Sequence, residues 1–188
     1  MTPVFAVMGS GEGGDVIGNA DFADKKDFFA LNDYFKGQFI DIDDIPMVFE
    51  FLGSNADRRP DLVCVSGSLL AASDKALSLI GPLIRDYSYE MDGVISGTPY
   101  KVFLPLYRAD MFDYATSAFM LLPENKIMSA GLPRKTRPVK CVVPIFHLRH
   151  TAGLYCNETF AQAVEANRLT GLYFLEENTR AYRPRVKP

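Results

Sequence analysis

The sequence predicts an α+β fold in a single domain: a mixed or antiparallel sheet with a few packed helices. Three observations carry this. Short apolar runs bounded by glycine, proline and polar turns recur along the chain, as strands require. Two segments combine a helix-capping residue with apolar positions at helical spacing. Each of those segments also follows an apolar run at the same offsets, so the chain contains two strand-turn-helix units on one plan. Leu62, Leu70, Ser73 and Leu77 fall at offsets that Phe146, Leu154, Asn157 and Ala161 repeat.

Val4 to Met8 (VFAVM) reads as a buried first strand stopped by glycines, and Asp21 to Phe35 as a short helix with irregular apolar spacing. Phe39 to Ile42 and Val48 to Leu52 read as strands around the acidic turn Asp43-Asp44-Ile45-Pro46. Leu62 to Ser66 is another buried strand. After Gly67-Ser68-Leu69-Leu70 a helix begins at Ser73, a good N-cap, with Asp74 suited to the dipole of the first turn and Gly81-Pro82 weakening its end. Tyr87 to Tyr107 alternates in two runs around Gly97-Thr98-Pro99, which predicts a hairpin. Strands also fit Phe119 to Leu122 and Lys140 to Leu148. A second helix runs from an Asn157 cap through Phe160, Ala161 and Val164, and Leu172 to Leu175 closes the fold. Residues 1–180 form the domain, and 181–188 are a basic, proline-containing tail.

The 188 residues suffice to bury about 70% of the unfolded surface. With 48% apolar and 23% charged residues, and a mean hydropathy of +0.01, the composition is neither disordered nor membrane-embedded. No apolar run approaches the ~18 residues of a membrane span, and no basic residue precedes the first apolar stretch as in a secretory signal, so the expected location is the cytoplasm. Three dispersed cysteines fit reduced thiols there. A pI near 5.4 argues against nucleic acid as the main partner. Charge is nonetheless unequally spread: residues 1–60 carry 11 acidic and 5 basic side chains, and residues 131–188 carry 4 and 10.

Four patterns could carry chemistry. Gly9, Gly11 and Gly14 spell G-x-G-x-x-G after a predicted strand, but the helix that would face a pyrophosphate does not follow. Cys141, His147, His150 and Cys156 have the residue types of a zinc site, yet neither cysteine has a knuckle partner two to four residues away. Were Lys140 to Leu148 one strand, Cys141 and His147 would share a face and His150 would lie beyond its end. Both histidines lie inside HLRH without a G-x-S-x-G elbow, so no nucleophilic triad is indicated. The basic run Arg134, Lys135, Arg137, Lys140 lacks interleaved aromatics and reads as a solvated loop. The sequence thus indicates no catalytic residues, metal ligands or cofactor, and leaves the oligomeric state open.

Arg59-Pro60-Asp61-Leu62-Val63-Cys64-Val65, then KVFLPLYRADMFDYATS from Lys101, and lastly PIFHLRHTAGLYCNETFAQAVEANRLTGLYF from Pro144 resemble a family of bacterial immunity proteins first catalogued as a domain of unknown function. The closing Leu-Thr-Gly-Leu-x-Phe is its most telling part, and the likeness covers about residues 59 to 175. The resemblance implies a binding module that occludes one cognate toxin of a polymorphic toxin system and performs no chemistry. On this reading the acidic stretch Asp41, Asp43, Asp44 and Glu50 is the expected partner contact, steering a basic toxin face. The competing expectation is a nucleotide-binding enzyme built on the Gly9–Gly14 loop.

Overall fold

A computed structural model describes residues 3–9, 16–18, 47–51, 59–65, 67–121, 123, 127–130, 135, 137, 141–151 and 153–176. Outside them lie the expected helix from Asp21, the expected strand from Phe39, and the tail 181–188.

The strands are β1 Val4–Gly9, β2 Val16–Gly18, β3 Val48–Phe51, β4 Leu62–Val65, β5 Leu69–Ala72, β6 Ser88–Ile95, β7 Thr98–Pro105, β8 Arg108–Ala109, β9 Phe119–Leu121, β10 Ile127–Ala130, β11 Ile145–Leu148, β12 Leu154–Asn157 and β13 Leu172–Glu176. The helices are α1 Asp74–Ile84, running into a 3₁₀ turn Arg85–Tyr87, and α2 Glu158–Ala166. The α+β class holds, but the strands form more than one sheet. Six close into a barrel in the order β2-β3-β6-β7-β5-β4, five form a mixed sheet β13-β1-β12-β11-β8, and β9 pairs with β10.

Alternation of side chains explains how the barrel fills. Along β4, β5 and β7, Val63, Val65, Leu69, Ala71, Val102 and Leu104 point inward, joining Phe49 and Phe51 of β3 in an apolar interior. Their neighbours Leu62, Leu70, Ala72 and Phe103 point outward into a second core. Strands buried on both faces carry no polar alternation, as LVCV and LLAA show. Gly93 on β6 is required by packing, because a Cβ there would stand 2.4 Å from Val102 Cγ2 and 3.1 Å from the Met47 carbonyl.

The outer wall of the barrel meets α1, α2 and one face of the five-stranded sheet in that second core. Ala76, Ile80 and Ile84 of α1 meet Phe160 and Val164 of α2, Val7 of β1 and Ile145 of β11. The opposite face of the sheet, with Val4, Ala6, Phe146 and Tyr155, buries Ala109, Met111 and Phe112 in a third core. Each fully buried side chain of this size stabilises by roughly 1.5–3 kcal/mol relative to exposure.

Several expectations need correcting. β5 occupies Leu69 to Ala72, where a turn was expected, since LLAA is a short apolar run that periodicity alone cannot assign to strand or helix. The β6–β7 turn is Ser96-Gly97, both at positive φ (46° and 75°), so Thr98 and Pro99 belong to the strand. α1 runs through Gly81-Pro82 to Ile84, the last position at the expected helical spacing, because buried Ile80 and Ile84 hold its last turn on the core. The segment from Lys140 becomes β11 only at Ile145, and Cys141 lies in the third core while His147 shares the Ile145 face. The repeated plan is a β-hairpin followed by a capped helix, β4-β5-α1 and β11-β12-α2. Leu70 and Leu154, Ala76 and Phe160, and Ile80 and Val164 occupy matching places in one shared core. Leu62 and Phe146 do not match, for Ile145 is the residue on the Leu62 side. The second hairpin has two more residues between its strands, which shifts its register.

Candidate functional site

Of the expected partner residues, Asp41, Asp43 and Asp44 lie outside the described residues. Glu50 sits on β3 opposite Ile17, exposed on the outer wall of the barrel. Gly9 ends β1, whose two neighbours β12 and β13 are both antiparallel to it. Gly11 and Gly14 are outside the described residues, but β2 starts at Val16, two residues after Gly14. Val16–Gly18 is thus strand where a pyrophosphate site needs a helix. Among the described residues no three His, Cys, Asp or Glu side chains gather as a metal site. His147 is buried with Nδ1 3.1 Å from the Gly153 carbonyl, whereas His150 lies in the hairpin turn. Burial pushes the Cys64 thiol up to about 12 and raises those of Cys141 and Cys156, so none is a ready thiolate.

Ser73 and Asn157 are both helix N-caps, accepting from the Ala76 and Phe160 N–H groups at 3.3 and 3.0 Å. Asn157 is buried and its Nδ2 also donates to the Cys141 carbonyl at 3.2 Å. Asp61 anchors a second structural cluster. Its Oδ2 accepts from the Thr170 N–H and hydroxyl at 3.0 Å each and from Lys75 Nζ at 2.9 Å. The Leu62 N–H donates to the Thr170 carbonyl, and a Cβ on Gly171 would stand 1.9 Å from the Leu62 carbonyl oxygen. The two stretches RPDL and LTGL, far apart in sequence, therefore form one interlock whose role is structural.

The arrangement best suited to recognition is one that sequence reasoning missed, built where the chain leaves β8. Ala109, Met111 and Phe112 turn into the third core, which puts Asp110 on the outside. Asp113 then folds a tight turn: its Oδ1 accepts from the Ala115 N–H at 3.0 Å and its Oδ2 from the Thr116 hydroxyl at 2.7 Å. Within that turn the Tyr114 ring stacks on Phe119, with centroids 5.2 Å apart and planes 17° apart. Phe119 in turn meets Phe112 edge-on at 5.6 Å. His150 presents its ring edge-on to both Tyr114 and Phe119, at 6.3 and 6.2 Å.

Polar contacts hold this aromatic group in place. The Tyr114 hydroxyl donates to Asp110 Oδ1 at 2.8 Å, and Arg149 Nη1 lies 3.2 Å from Asp110 Oδ2. Arg137 Nη2 donates to the Asp110 carbonyl at 3.4 Å, and the Arg137 N–H to the Met111 carbonyl at 2.7 Å. The Thr151 N–H bonds the Leu148 carbonyl, which places His150 third in a turn with φ of 62°, a conformation costly for a residue with a Cβ. Burial and the Asp110 carboxylate together raise the Tyr114 pKa; burial and the Arg149 charge lower that of His150. Tyr114 remains 41% exposed, with Met120 at 55% and Leu121 at 53% on β9 beside Phe119. The signal available in sequence was the tyrosine- and arginine-bearing stretch YRADMFDY, but its partners lie some 39 residues away. No protein-family model matches the chain, and no curated protein matches it in sequence.

Proposed function

We propose that this protein is a binding module that recognises another protein and neutralises it by occlusion, in the manner of the immunity proteins its sequence resembles. One observation carries the reading: an exposed, preorganised group of Tyr114, Phe119 and His150 locked to Asp110 and Arg149. Tyrosine and arginine are the residues in which interface binding energy concentrates, and a ring already held in place loses little entropy on binding. Supporting it, the residues that follow the G-x-G-x-x-G sequence, Val16–Gly18, form a strand rather than a helix. The cytoplasm is the compartment in which an immunity protein of this kind acts.

The test is co-expression with the toxic C-terminal part of a large secreted protein encoded beside this chain. Wild-type chain should restore growth and co-purify with the toxin, and Tyr114→Ala should weaken the complex by about 1–3 kcal/mol while leaving the fold intact. Absence of rescue by the wild type, together with a rise in melting temperature on adding a mononucleotide or dinucleotide, would reject the proposal in favour of the nucleotide enzyme. A ligand at 100 times its dissociation constant stabilises by about 2.7 kcal/mol, well within detection.

A further inference from the structure

Resting on the reading of the Tyr114 surface as a protein-binding site, the charges around it give the chemistry of what binds. Among the described residues, the two carboxylates of this surface are already engaged. Asp110 accepts from Tyr114 on one oxygen and from Arg149 on the other, and Asp113 accepts from Ala115 and Thr116. The cations are less fully used. Arg137 is exposed; its guanidinium donates to a backbone carbonyl, and its charge favours the Asp113 carboxylate without an ion-pair contact to it among the described residues. Arg149 binds Asp110 through one nitrogen with its side chain 59% exposed. The charges of Arg108, Arg137 and Arg149 all reach the Tyr114 or His150 rings.

We infer that this surface takes an acidic segment of the partner protein, with a carboxylate on Arg137 and Arg149 and an adjoining apolar side chain on Tyr114. A planar guanidinium with unused donors matches a carboxylate in two parallel hydrogen bonds. The stacked ring beside it supplies a flat apolar seat for the neighbouring residue. This sign is opposite to the one the acidic turn Asp41-Asp43-Asp44 would require of a partner.

The experiment titrates three probes into isotope-labelled chain and follows it by NMR: the peptide acetyl-Asp-Glu-Leu-Glu-Asp-amide, its counterpart with lysine at every acid, and a short oligothymidylate. The acidic peptide should move the signals of Tyr114, Phe119 and His150. Its affinity should fall at least about fivefold in Arg137→Glu, fall less in Arg137→Lys, which keeps the charge but loses the planar fork, and weaken with added salt. Arg137 is exposed and its backbone bond to Met111 survives substitution, so the variant's spectrum also reports that it folds. The inference is overturned if the acidic peptide leaves those rings unmoved, if the lysine peptide or the oligothymidylate moves them more strongly, or if Arg137→Glu binds as well as wild type. Growth rescue by a chain that ignores the acidic peptide would overturn this inference and keep the binding reading. A chain that binds the peptide but never rescues would do the reverse.

Discussion

The two histidines stand three residues apart, yet their surroundings make them chemically different groups. His147 lies on the inner face of β11 at 1% exposure, and burial is the main force lowering its pKa to about 4, with the charge of Arg108 adding to it. It is therefore neutral at pH 7, and the Gly153 carbonyl, able only to accept, assigns the proton to Nδ1. The folded pKa lies below the ordinary 6.5, so the unfolded chain binds more protons between pH 6.5 and 4. Stability from this group is complete above pH 6.5 and is lost as the pH falls through that window, by roughly 3 kcal/mol in total. NMR titration should find the His147 ring unchanged from pH 8 to 5 and His150 titrating at a higher pH, though below 6.5. A His147 midpoint near 6 would contradict the burial argument. The sequence placed His147 on a strand and His150 beyond its end, but the burial of His147 was not legible, because it depends on distant segments covering both faces of β11.

At the scale of elements, the helices were the most readable parts, since their caps act locally. Ser73 and Asn157 were identifiable because a side-chain oxygen at the N-cap satisfies an N–H two or three residues on, whatever the tertiary fold. Alanine at either should cost about 0.5–2 kcal/mol. Asn157 belongs at the upper end, since its second hydrogen bond, to the buried Cys141 carbonyl, is lost as well. Equal losses at the two positions by chemical denaturation would argue against that second contribution. The end of α2 carries the opposite kind of residue. Arg168 has φ of 51° just after the helix, its N–H bonded to the Glu165 carbonyl and that of Leu169 to the Val164 carbonyl, the pattern that glycine normally completes. Arg168→Gly should therefore stabilise the protein by about 0.5–1 kcal/mol, and a lower melting temperature would refute the strain. Strands were harder to read. LLAA and LYCN contain good helix formers and no alternation, so β5 and β12 become strands through pairing on both sides, with β4 and β7 and with β11 and β1.

At the scale of the molecule, neither the barrel nor the Tyr114 surface was legible, since each depends on contacts between distant segments. The barrel closes through the pairing of Val16 with Val65, and the site joins Asp110 to Arg149. The Asp61–Thr170 interlock is of the same kind: its two residues are 109 positions apart and tie the start of β4 to the loop between α2 and β13. Burial pushes the Asp61 carboxyl up, but the Thr170 N–H and hydroxyl and the Lys75 ammonium outweigh it and hold the group below its ordinary range. That contribution is present above the ordinary carboxylate pKa and is lost as the pH falls through the lowered one. Lys75 is 58% exposed, so its ion pair should matter little, and Lys75→Met should cost no more than about 1 kcal/mol. The hydrogen bonds to Thr170 are better shielded, and either Asp61→Asn or Thr170→Val leaves part of the cluster unsatisfied, at about 1–3 kcal/mol each. Because both substitutions break the same bond, the double variant should lose less than the sum of the two, with a coupling of roughly 0.5–3 kcal/mol. Simple additivity in urea unfolding would mean that Asp61 and Thr170 act separately. The closure of the fold would then rest on apolar packing and on the close approach of Gly171 to Leu62.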